Sequence, residues 1–96
     1  MRLHQINQLT YPTDIEQAWC HAIQTGDTIL LLEEAILRST TGQEAMLTSL
    51  INEKAIALCY LQSDAQAYGV NPTIGTALND EEWVKLTLSA DSNISW

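Results

Sequence analysis

Few residues in this 96-residue chain are of a type that does chemistry: Cys20 and Cys59, His4 and His21, and the adjacent carboxylates Glu33-Glu34. Cys20-His21 pairs a thiol with a base. Neighbours at i and i+1 on a helix do not face each other, so the imidazole is badly placed to activate the thiol. Glu16, four residues earlier, lies on the thiol's side and disfavours a thiolate. Cys20 therefore reads first as an ordinary residue at the border of a buried helix face, and second as a sulfur carrier. Cys59 sits inside an apolar run and reads as a small hydrophobe. His4, inside a first strand, reads as packed and hydrogen-bonded. Adjacent side chains at a strand end diverge, so Glu33-Glu34 reads as a solvated edge with acid at a helix start. Two His and two Cys without paired spacing make no metal set, and no glycine-rich loop follows the first two strands. The residues themselves predict no catalytic, cofactor-binding or metal site.

Charge narrows the classes further. Twelve acidic residues against four basic ones give a net charge of −8. Phosphate recognition needs clustered Lys and Arg, whereas Arg2, Arg38, Lys54 and Lys85 are scattered singly. Direct contact with nucleic acid or an anionic membrane is not expected. No apolar run approaches the ~20 residues of a membrane span, and Met1–Gln5 lacks the apolar region of a signal peptide. A cytoplasmic location and reduced thiols are expected.

The elements that would carry these residues follow from periodicity. Thr28–Leu32 is apolar or β-branched without alternation, which marks a strand covered on both faces. Ala55–Leu61 repeats the pattern. Met1–Ile6 and Ile74–Leu78 read as further strands, the latter loosened by Gly75, and residues 91–96 as a short final one. Thr13-Asp14-Ile15-Glu16 matches a capping box. The helix after it places Ile15, Ala18, Trp19, Ala22 and Ile23 on one stripe and ends at Thr25-Gly26 with a left-handed glycine cap. A short helix starts at Glu33 and is interrupted by Ser39-Thr40-Thr41-Gly42. Gln43–Asn52 is a second helical stretch, with Met46, Leu47, Leu50 and Ile51 inward. Ser63-Asp64 caps a short helix to Tyr68. Asn79 or Asp80 caps a last helix, Glu81 to about Ala90, with Trp83, Val84, Leu86 and Leu88 inward. Strands near residues 2, 28, 55 and 74 with helices between predict one α/β domain over 1–96. Its expected form is three-layer α/β/α and flavodoxin-like, with a mostly parallel four- or five-stranded sheet.

Three stretches together resemble the TusB/DsrH family, small subunits of bacterial sulfur-relay complexes. Met1-Arg2-Leu3-His4-Gln5-Ile6-Asn7 is similar to the family's opening Leu-His strand. Gly26–Ile36 is similar to its Gly-x-x-x-Leu-Leu-x-x-Asp-Gly block. Trp83-Val84-Lys85-Leu86-Thr87, with the closing Trp96, is similar to its aromatic-Val-x-Leu-Thr helix and closing aromatic residue. One departure is Glu34-Ala35 in place of Asp-Gly, which implies a regular helix start instead of a glycine turn. Some members carry a cysteine in the first helix, at or next to Cys20.

The resemblance implies a non-catalytic subunit that assembles with homologous C- and D-type partners into a hetero-hexamer. That complex passes persulfide sulfur toward 2-thiolation of the tRNA wobble uridine, with the relay cysteine on the D-type partner. The alternatives are a sulfurtransferase carrying persulfide on Cys20, in a sulfur-oxidation or relay pathway, and an acidic protein-interaction module. A homo-oligomer in isolation stays open, and no cofactor is implied. Trp96 is expected to dock against the fold or a partner, because a chain-end residue orders only when tied down.

Overall fold

A computed structural model describes residues 1–40 and 42–96; the part of the expected 39–42 turn that falls on Thr41 lies outside the described residues. Thr28–Leu31 forms β2, and all four of its residues are buried. It pairs in parallel with β1 (Arg2–Ile6) on one side and β3 (Ala57–Leu61) on the other. β4 (Thr76–Leu78) adds to β3, and β5 (Ser92–Ser95) adds to the free side of β1. The sheet is five-stranded and wholly parallel, in the order β4-β3-β2-β1-β5. With helices on both faces this is the expected three-layer, flavodoxin-like arrangement.

α1 (Thr13–Ala22), α2 (Glu44–Lys54) and a 3-10 helix (Glu33–Ser39) cover one face. Trp19, Ile23, Ala35 and Leu47 there pack on Ile6, Ile29, Leu31 and Leu58. The second face carries α4 (Asp80–Ser89), whose Trp83 and Leu86 rest on Leu3, Leu30, Leu61 and Leu78. A helix of that length runs about 15 Å and is about 10 Å wide, against strands about 4.8 Å apart, so it cannot cover five strands. Ala57 and Thr76, which point to that face, are exposed.

Several expectations change on contact with the structure. α1 begins after Pro12 with no side-chain cap; Thr13 is its first residue and Glu16 is used elsewhere. Ile15 and Ala18 are exposed, so the buried stripe of α1 is short and centred on Trp19. The helix ends at Ile23 in extended geometry, and Gly26 (φ 84°) turns the chain three residues later, just before β2. Glu34-Ala35 does not open a regular α-helix. Glu33 takes the left-handed turn itself, with φ 51°, and a 3-10 helix follows. α3 (Gln62–Ala67) follows directly on Leu61 without a Ser63 or Asp64 cap, and the Asp64 carboxylate accepts the Glu33 N–H at 2.7 Å. Val84 and Leu88 point away from the sheet, 53% and 80% exposed. Asn79, not Asp80, caps α4, in a full capping box with Glu82. β3 is only partly covered, with Cys59 and Tyr60 half-buried. Gly75 does more than loosen β4: at φ 85°, a Cβ there would sit 3.1 Å from the Leu58 carbonyl oxygen.

Ala55 does not belong to β3. It closes α2 in the left-handed conformation, φ 49° and ψ 40°, where its Cβ crowds the neighbouring carbonyl. Ala55→Gly should relieve that strain and stabilise the fold by about 0.5–1 kcal/mol, roughly 3–6 °C in Tm. A thermal melt reads the change directly, and a fall in Tm would show the cap to be unstrained.

Candidate functional site

In open α/β sheets, ligands sit at the carboxyl ends of the strands. The turns after β2, β3 and β4 converge there on an open cleft of about 270 Å³, lined by Leu32, Glu33, Leu61, Ser63, Asp64, Asp80 and Trp83. Glu33 is positioned by its left-handed backbone and by the bond from its N–H to Asp64. Trp83 carries a buried indole N–H that has no hydrogen-bond partner among the described residues. The cleft is acidic, which suits neither a phosphate nor a thiolate. Neither Cys20 nor Cys59 lines it.

Glu33 and Glu34 are both exposed, in line with a solvated edge, and Glu34 accepts the Leu9 N–H at 3.2 Å. They form no paired acid and base.

Beside the cleft, the loop after β1 is fastened by an ion pair that the sequence does not announce. Arg38, fully buried in the 3-10 helix, donates to both oxygens of Glu16 on α1, and its Nε donates to the Gln8 carbonyl at 2.8 Å. Its guanidinium lies 5.3 Å from the centre of the Tyr11 ring and 5.4 Å from that of Trp19, a cation–π contact with each. Glu16 also accepts the Tyr11 N–H at 2.8 Å and the Trp19 indole N–H at 3.2 Å. Partial burial pushes the Glu16 carboxyl up, but the bonds from Arg38, Tyr11 and Trp19 outweigh it and hold the group below its ordinary value. Glu16 thus helps hold the start of α1 through Tyr11, since Pro12 has no N–H to offer.

A second buried network joins the amino ends of β1 and β2 to the end of β5. Asp27 accepts from the Arg2 backbone and guanidinium, from the Gln24 N–H at 3.0 Å and from His4 Nε2 at 2.9 Å. The indole N–H of Trp96 donates to His4 Nδ1 at 3.2 Å, the two rings lying 11° from parallel. An indole nitrogen only donates, so Nδ1 accepts and Nε2 carries the proton that meets Asp27. The readings of His4 as a packed, bonded strand residue and of Trp96 as docked both hold.

Cys20 lies within electrostatic reach of the first network, and Cys59 lies on the other core. Cys20 is half-buried at the border of the first core, and burial pushes its thiol up, reinforced by the Glu16 carboxylate. Arg38 and Lys54 pull weakly the other way. Burial likewise raises Cys59, whose thiol lies in β3 against the second core. His21 is exposed on the last turn of α1. Iodoacetamide should therefore alkylate both cysteines of the native protein more slowly at pH 7 than a free thiol. Mass-spectrometric time courses check this, and fast, selective labelling of Cys20 would contradict it.

Among the described residues, no group of three or more His, Cys, Asp or Glu is placed to hold a metal ion, and no helix is long and apolar enough to cross a membrane. The family model of DsrH-like proteins matches residues 11–93. No curated protein matches the chain.

Proposed function

Because the chain belongs to the DsrH-like family, we propose that it is a non-catalytic subunit of a sulfur-relay complex that supports 2-thiolation of the tRNA wobble uridine. Family membership itself makes it a sulfur-relay protein. The observation that carries the finer reading is the cleft at the strand ends: it is acidic and has no thiol in its lining. A persulfide carrier needs a thiolate where a partner can reach it. Cys20 and Cys59 instead lie elsewhere, with their thiols raised by burial. The relay cysteine on this reading belongs to a D-type partner, and the chain contributes assembly together with C- and D-type subunits. Its net charge of −8 leaves contact with tRNA to those partners.

The test is mass spectrometry after incubation with a cysteine desulfurase, cysteine and co-expressed C- and D-type subunits. Sulfur should load on a partner and not on this chain. A gain of one sulfur atom on the Cys20 peptide would replace the scaffold by a carrier.

A further inference from the structure

His4 belongs to a buried cluster outside the strand-end cleft. It is fully buried in β1, with parallel neighbours Ile29 on β2 and Ile94 on β5. Its Nε2–H is committed to Asp27 at 2.9 Å, and its Nδ1 takes the Trp96 indole N–H at 3.2 Å. The ring therefore sits between an anion and a group that can only donate. Asp27 favours the charged imidazolium, whereas Trp96 requires the neutral ring. The other charges at this end of the sheet are committed as well. Arg2 pairs with Asp27, Lys54 donates to the Ile23 carbonyl, and the Met1 ammonium pairs with Asp91 ahead of β5. His21, on the last turn of α1, is exposed.

We infer that His4 is an acid-sensitive latch: protonation of its Nδ1 releases the Trp96 indole and loosens β5 from the edge of β1. A second ring proton gives Nδ1 an N–H, and two donors then face each other across 3.2 Å. Asp27 keeps its hold on Nε2 and gains an ion pair with the imidazolium, so the loss falls on the Trp96 side. The Asp27 carboxyl, held at about 2, stays ionised throughout the range in which imidazoles titrate. Beyond its ladder to β1, β5 has little else to hold it, since three of its four residues are exposed. When it loosens, the Gln5 carbonyl loses the Trp96 backbone N–H, and the outer edge of β1 is bared. The Met1–Asp91 pair cannot give the same response. Mild acid keeps the ammonium charged, and the bond from that ammonium holds the Asp91 carboxyl below its ordinary value. The latch belongs to the chain itself and needs no partner.

Hydrogen exchange of the full chain at about pH 7.5 and about pH 5.5, corrected for intrinsic rates, measures the latch. On acidification the β5 amides should lose about tenfold or more of their protection relative to those of β2. Trp96→Phe keeps an aromatic ring but has no N–H. Its β5 should be poorly protected at both pH values, with no further loss in acid. His21→Gln, which removes the other histidine, should respond as the native chain does. Nitrogen NMR of histidine-labelled protein should show His4 as the Nε2–H tautomer at the higher pH and doubly protonated at the lower. Protection of β5 that follows β2 at both pH values would overturn the latch, as would acid loosening that persists in Trp96→Phe. So would a His4 ring that is still neutral once β5 has loosened.

Discussion

Replacing Arg38 by Met should destabilise the protein by about 3–5 kcal/mol, a large share of what holds a domain of this size together. Arg38 is fully buried, and its guanidinium is the common partner of the Glu16 carboxylate, the Gln8 carbonyl and the faces of Tyr11 and Trp19. Methionine fills much of the same volume, so little of the loss comes from an empty cavity. The loss comes from a carboxylate and a carbonyl left without their donor inside the fold. Arg38→Lys keeps the charge but not the fork that reaches both Glu16 oxygens, and should recover only part of the stability. Urea midpoints of the two variants measure this. A double-mutant cycle with Glu16→Gln should return a coupling above about 1 kcal/mol. A value near zero would make the pair a bystander.

Acid should unfold the protein in a window set largely by Asp27. Burial pushes the Asp27 carboxyl up, but bonds from Gln24, His4 and Arg2 prevail and hold it at about 2, below its ordinary 3.8. A carboxyl depressed in the folded state stabilises the fold at every pH above its unfolded value. That contribution, about 2 kcal/mol, is lost as pH falls from about 4 to about 2. Glu16, also depressed, acts in the same sense. Asp27→Asn should lower stability at pH 7 by about 2 kcal/mol and flatten the fall between pH 4 and pH 2. Urea unfolding at pH 7, 4 and 2.5 tests both halves. An unchanged acid slope in the variant would place the titration elsewhere.

The interior of the sheet was legible because its signal is one-dimensional. A run such as Thr28–Leu31 without polar alternation has to be covered on both sides, and it is. Periodicity tells which residues share a side of a helix, not whether anything lies against that side. Ile15 and Ala18 share a stripe with Trp19 yet remain exposed, and Val84 and Leu88 form a stripe that the sheet does not cover. The two buried ionic hubs were hidden for another reason. Arg38 meets Glu16 across 22 positions and Asp27 meets His4 across 23, distances at which no spacing rule applies. A weak local sign existed for Arg38. In a 3-10 helix, residues three apart eclipse, so Arg38 lies above Ala35, on a buried line. The cleft could be placed at the strand ends, but its acidic lining depends on where Asp64 and Asp80 come to rest.

The pairing of β1 with β5 brings Arg2 opposite Ser92, so the first strand completes its hydrogen bonds with the last. Strands β1 to β4 are joined by successive neighbouring crossovers, whereas β5 must return across nearly the full chain, the slowest kind of closure. β5 is also an edge strand whose outward residues are mostly exposed. Its amides should exchange with deuterium before those of β2, and while it is open β1 shows a free edge. That transient edge is a template onto which another molecule's β5 fits as well as its own, which makes exchange of this strand the natural route to misassembly at high concentration.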